Sequence, residues 1–225
     1  MYKEELKPYL EPTYFIDSNS EAVLETVNSA TEKDMSYIDK AVRLYYAIRD
    51  SIIYDPYRID ISRNGMKASS IIERKRGFCV SKAVVLAACA RAAGIPSRIH
   101  FADVKNHLTS RQLFEIMGTD LFVYHAYTEL YLEEKWVKAT PAFNSSLCEK
   151  VGVLPLKFDG RHDSLFQQFD MKGNKFMEYK KDRGAFDDLP YDELVKSFRD
   201  YYPNFMSMDL ATLEGDFEKD AAKRQ

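Results

Sequence analysis

The 225-residue sequence predicts an α+β fold in which one buried helix packs on an antiparallel sheet, and three observations carry that expectation. Residues 21–52 repeat apolar side chains at helical spacing. Cys79 to Ala93 is a continuous Ala-rich run closed by Gly94 and Pro96. Arg98 to Val104, Leu121 to Leu132 and Trp136 to Thr140 alternate apolar with polar residues as strands do.

Composition bounds the class. Hydrophobic residues at 45 % and charged ones at 30 % favour a packed interior over disorder. The length suits one domain over residues 1–225, because single cores stop growing near about 250–300 residues. The 32 basic and 35 acidic side chains are scattered, so the net charge of −3 creates no field that would gather nucleic acid or anionic lipid. The longest apolar stretch, around Val80 to Ala93, is interrupted by Lys82 and Arg91 and is too short to cross a bilayer. Charges also stand at the N-terminus, where a signal peptide needs an apolar run. A cytoplasmic protein without nucleic-acid or membrane partners is expected. Cys79, Cys89 and Cys148 match no zinc spacing, and their odd number argues against a disulfide framework, so free thiols follow.

In chain order, Glu21 to Ala30 reads as a helix capped by Asn19 or Ser20. Met35 to Ile52 reads as a second, with Met35, Ile38, Val42, Tyr45, Ile48 and Ile52 on the core face and Asp55-Pro56 as its stop. Ser69 and Ser70 cap a brief helix through Ile71 and Ile72, and Glu73 to Arg76 is a solvated run. Cys79 to Ala93 is the clearest helix, with a broad apolar face of Val80, Ala83, Val84, Ala87, Ala88 and Ala92. Arg98 to Val104, Leu121 to Leu132 and Trp136 to Thr140 read as strands, the last two joined at Glu133-Glu134. Asn106 to Asp120 is a loop or helix over the sheet edge. Lys175 to Lys181 is a further strand, Pro190 to Tyr201 a helix opened by Asp188, and Glu214 to Gln225 a frayed polar end.

The chemistry concentrates at Cys79. A thiol is nucleophilic as thiolate, and the partial positive charge at a helix N-terminus favours that form. Gly77 permits close approach just before it, and the Cys79 N–H can donate to an oxyanion. Cys89 lies mid-helix as core, and Cys148 in a loop-like stretch. His125 stands mid-strand, where a rigid backbone holds an imidazole steady. His100 and His107 read as strand and loop residues, while His162, flanked by Asp159 and Asp163, is the rival base. That trio offers metal-ligand types without a second histidine at useful spacing. Tyr54, Tyr124, Tyr127 and Phe143 are read as core or groove lining.

The segment from Arg76-Gly77-Phe78-Cys79 through Arg91-Ala92-Ala93-Gly94-Ile95-Pro96-Ser97-Arg98 resembles the nucleophile segment of the transglutaminase-like superfamily. His125-Ala126-Tyr127-Thr128-Glu129-Leu130-Tyr131-Leu132, followed by Trp136-Val137, is similar to that family's histidine strand and hairpin partner. With Tyr54-Asp55 upstream, the resemblance spans about residues 34–144. It implies a papain/transglutaminase-like core, its central helix carrying Cys79 and its antiparallel sheet carrying His125. It also implies a cysteine enzyme that cleaves or transfers an amide acyl group of a protein or peptide through a thioester, with neither metal nor organic cofactor. The family pattern has aspartate where this chain has Thr140. A two-residue loop at Glu133-Glu134 would put Thr140 on the face of His125, and a three-residue loop would turn it away. The orienting group stays open among Thr140, Asn144, Asp159 and Asp163. The alternative function is a catalytically inactive peptide-binding module on the same fold, which the missing aspartate favours.

Overall fold

The computed structural model describes residues 4–107, 109–166, 168–208 and 216–222. A 3-10 turn (Glu4–Tyr9) precedes α1 (Glu21–Ala30), whose bounds match the expectation, and α2 (Tyr37–Ser51). Ser36 starts α2 because its hydroxyl accepts the Asp39 N–H at 3.1 Å. The buried stripe of α2 runs through Ala41, Leu44, Tyr45 and Ile48, and Ile38 and Val42 are only partly buried beside it. The chain leaves α2 at Ile52 and forms a short strand, β1 (Ile53–Tyr54), before Asp55-Pro56 is reached.

Strand β1 pairs in parallel with β2 (Arg76–Gly77). Between them lies α3 (Ala68–Arg74), capped by Lys67; Ser69 and Ser70 sit inside it, and Ser69 gives its N–H and hydroxyl to Asp17 at 3.1 and 2.6 Å. Lys75 closes α3 at φ 52°. The run from Glu73 to Arg76 is therefore not wholly solvated, since Arg76 turns back onto buried Asp55.

Helix α4 (Cys79–Ala92) is buried along Val80 to Arg91 on every side, more than the one broad face the sequence indicated. It lies between α1, α2 and α3 on one side and the sheet on the other. Its polar side chains survive burial by hydrogen bonding. The Lys82 ammonium donates to the Arg49 and Ile52 carbonyls, both at 2.7 Å, and Arg91 donates to the Ser97 and Glu11 carbonyls. Burial holds the Lys82 pKa down at about 7. On the sheet side, Thr128 donates to the Ala83 carbonyl at 2.9 Å and Ser97 to that of Ala87 at 2.8 Å.

The sheet is antiparallel in the order β5-β4-β3-β6, with β3 (Ser97–Asn106), β4 (Leu121–Leu132), β5 (Lys135–Ala139) and β6 (Met177–Phe186). Pairing of Leu132 with Lys135 and Thr128 with Ala139 leaves Glu133-Glu134 as a two-residue turn, both residues left-handed at φ 46° and 63°. Such a turn matches strand twist. The Asn106 to Asp120 segment contains α5 (Arg111–Met117), and α6 (Ser145–Val151) was not foreseen.

The C-terminal part supplies α7 (Tyr191–Tyr201), α8 (Pro203–Ser207) and α9 (Phe217–Ala222). The frayed end expected over 214–225 is instead, in its described part, a helix whose Phe217 packs on Tyr54 and Tyr57 at 5.6 and 5.5 Å. Residues 214, 215 and 223–225 lie outside the described residues. Among the described residues, no helix is long and apolar enough to cross a membrane.

Candidate active site

Cys79 is the first residue of α4, and the β1–β2 pair sets where that helix begins. The Asp55 N–H donates to the Gly77 carbonyl at 2.9 Å, and the Asp55 carboxylate pairs with Arg76 while accepting the Tyr57 N–H at 3.0 Å. Only glycine fits at position 77, because an added Cβ would lie 2.6 Å from the Ser81 Cβ in the first turn of α4. The close approach foreseen there is made by the helix itself. Phe78, in extended conformation with no side-chain cap, then opens the helix.

The sulfur of Cys79 lies against strand β4. The Ala126 N–H is directed to it, as are those of Val80 and of Cys79 itself. Strand geometry explains why Ala126 has a free donor. Thr140 gives its N–H to Ser164, so by alternation Ala139 and Thr128 face one another, and Ala126 points to the same side as Thr128. The β4–β5 pairing ends at Thr128 and Ala139, so the Ala126 N–H, which points to that side, lies beyond the last pair. These donors stabilise a thiolate, yet the surrounding apolar groups outweigh them. Burial pushes the Cys79 thiol up to about 11.

His125 immediately precedes Ala126 on β4, and a β-bulge aims it. Two residues, Val123 and Tyr124, oppose the single Asp103 between the pairs Ala102–His125 and Val104–Phe122. Tyr124 takes φ 54° there, its N–H donating to the Asp103 carboxylate at 3.1 Å and its ring lying under Arg183. An aromatic residue in the left-handed region stores strain, here beside the imidazole. The His125 ring rests on Phe166 at 4.6 Å, and burial pushes its pKa down to about 3. Its Nε2 is buried and, among the described residues, has no hydrogen-bond partner.

Continuing the β4–β5 register by one residue sets Thr140 opposite Tyr127, so Thr140 and His125 share a face as diagonal neighbours. The Thr140 hydroxyl is likewise buried without a partner among the described residues. The other candidate orienters lie elsewhere. The Asn144 carbonyl oxygen accepts the Tyr54 N–H at 3.2 Å, and its amide donates to Ser146 and Glu218. Asp159 bonds the exposed His162 at 2.7 Å, and Asp163 accepts the Lys138 N–H at 2.9 Å. His162 is thus a surface partner of Asp159 and no rival base. His100, read as a strand residue, bridges Glu129 and Asp182 at 2.9 and 2.7 Å, which raises its pKa.

Cys79 and His125 line one cavity of about 40 Å³ with almost wholly apolar walls. Tyr54 stands in the wall beside Cys79, buried, its ionisation held well above normal by burial and then by the nearby sulfur. Its phenol therefore stays a neutral O–H beside Cys79. Tyr202 closes another side, accepting the Val123 N–H and donating to the Leu121 carbonyl at 3.1 Å. Phe198 and Phe205 from α7 and α8, and Leu113 and Met117 from α5, complete the wall. Sequence reading missed these residues. The Leu194, Val195 and Phe198 stripe marks α7 as amphipathic but does not say what it covers. Cys89 and Cys148 are buried, their thiols pushed up to about 12 and about 11; Cys148 lies in α6, not in a loop.

The family model described as Transglutaminase-like superfamily matches residues 24–141, more than half of the chain. A solved structure from Cytophaga hutchinsonii, described provisionally as a cysteine protease, is 19 % identical, with a TM-score of 0.47 over 62 % of this chain and 43 % of its own. Another from Parabacteroides distasonis, described provisionally as a protease, is 14 % identical, with a TM-score of 0.38 over 59 % of this chain and 26 % of its own. The chain thus spans less than half the length of these two proteins. No curated protein matches it.

Proposed function

The chain belongs to the transglutaminase-like superfamily, and on that premise we propose that it is a cysteine enzyme cleaving or transferring an amide acyl group of a protein or peptide through a thioester on Cys79. The observation that supports this reading is that Cys79, at the start of α4, and His125, on β4, line one cavity. Burial raises the Cys79 thiol and lowers the His125 pKa, which favours the neutral form of each, so His125 acts as a general base. It takes the thiol proton as sulfur adds to the carbonyl, then passes that proton to the departing amine as the C–N bond breaks. The Tyr54 hydroxyl, in the wall beside Cys79, is a donor for the oxyanion between those steps. Water or a second amine then takes the acyl group from sulfur, giving peptidase, amidase or transamidase activity.

A second reading, an inactive peptide-binding module, draws support from the lone imidazole nitrogen and from threonine in place of the family aspartate. One experiment separates the two. An activated acyl ester is mixed with wild type, Cys79→Ala and His125→Ala, and the intact mass is followed with time. The enzyme reading expects an acyl adduct on Cys79 that forms and decays, absent in Cys79→Ala and at least about a hundredfold slower in His125→Ala. Ester consumption that ignores Cys79→Ala, or an adduct that never decays even with added amines, favours the module.

A further inference from the structure

We infer that α7 and α8, which lie beyond the family-matched residues, build a side-chain pocket beside Cys79 that selects a small aliphatic group on the acyl half of the substrate; this rests on the reading of Cys79 as the acylated nucleophile. Phe198 and Phe205 from these helices meet Ile59, Leu113 and Met117 around the cavity into which Cys79 opens. The wall is a fixed part of the structure. Tyr202, between the two helices, spends its hydroxyl in both directions on β4, taking the Val123 N–H and giving its proton to the Leu121 carbonyl. Its ring packs on Phe198 at 5.4 Å, so the anchored tyrosine carries the phenylalanine with it.

The polar inventory decides what the pocket rejects. The Tyr202 hydroxyl is used, and that of Tyr124 donates to Glu193 at 3.4 Å. Cys79, His125 and Tyr54 remain for the reacting carbonyl. A glutamine amide or lysine ammonium reaching past that carbonyl meets hydrocarbon, which costs roughly ten- to hundredfold in affinity for an unpaired amide and more for a charge.

Volume decides among apolar groups. The cavity is about 40 Å³, whereas one that admits a benzene ring is roughly 150 Å³. A valine-sized side chain fits with small movement of Met117, whose thioether adapts readily, and an aromatic ring does not. The acyl donor is thus a peptide amide following a small aliphatic residue, and not a glutamine side chain.

The test uses peptidyl acyloxymethyl ketones with Gly, Val, Phe, Gln or Lys at the residue bearing the ketone. The Cys79 sulfur displaces the carboxylate leaving group and forms a C–S bond, so labelling is read as added mass on the full chain. Val is expected to label Cys79 fastest, ahead of Phe, Gln and Lys by roughly ten- to hundredfold. Phe198→Ala should raise the rate for Phe relative to Val at least about tenfold, and Met117→Ala serves as the milder variant, Met117 being only partly buried. Equal rates across the panel, a preference for Gln or Lys, or a Phe-to-Val ratio that neither variant moves would overturn the pocket alone. If no ketone labels Cys79, the acyl-transfer reading falls, and the pocket with it.

Discussion

The resting ionisation of Cys79 is open to direct measurement. Burial raises this thiol from 9.0 to about 11 despite three N–H groups directed at it. At pH 8 that difference lowers the thiolate fraction about a hundredfold, from roughly one in ten to one in a thousand. The perturbation is pH itself: iodoacetamide at fixed concentration from pH 6 to pH 10, with each cysteine quantified by peptide mass spectrometry and a urea-unfolded sample as reference. Cys79 should react about a hundredfold more slowly than the unfolded reference at pH 8, with a rate still rising tenfold per pH step at pH 10. Because His125 is also neutral at rest, His125→Ala should leave this background rate within about twofold, even as it abolishes acyl transfer. Fast alkylation of Cys79 at pH 6 to 7 that collapses in His125→Ala would refute the reasoning. It would mean a preformed thiolate–imidazolium pair, with the donors and charge coupling outweighing burial.

The same packing sets three further outcomes. His125, buried with its pKa lowered to about 3, stays unprotonated in the fold while the unfolded chain takes up a proton below about 6.5; stability therefore rises with pH across that window. His125→Gln should flatten the acid limb of the thermal unfolding curve by roughly 2–3 kcal/mol at pH 4.5, and an unchanged limb would contradict the assignment. Thr140→Asp places a carboxylate on the face shared with His125; it should raise the imidazole pKa by roughly 1–3 units, read by ¹⁵N NMR, while costing a few kcal/mol in stability. A folded variant with an unmoved His125 titration would put Thr140 on another face. Replacing Glu133-Glu134 by Asn-Gly should stabilise the hairpin by about 1 kcal/mol in urea denaturation, since both positions need left-handed backbone and the exposed Arg161–Glu133 pair contributes little.

Local pattern was enough for α1, α4 and β4, because periodicity, Gly94 and strand alternation act within a few residues of chain. It placed Cys79 at a helix start and His125 on a strand, and the hairpin spacing alone put Thr140 on the histidine's face once the turn had two residues. What the sequence concealed depends on distant segments. Glu133-Glu134 is poor chemistry for a turn with positive φ, and tertiary pairing overrides it. Arg76 looked solvated until Asp55, twenty-one residues earlier, claimed it. The all-round burial of α4 comes from three helices and a sheet meeting it, and with that burial the sign of both pKa shifts is decided. A helix N-terminus favours a thiolate, but desolvation is set by every neighbour at once, including α7 and α8, more than a hundred residues downstream. Residue type, spacing and the family resemblance therefore singled out Cys79 and His125, whereas only the packing around them determined that burial raises the one pKa, lowers the other and sets both side chains in one apolar cavity.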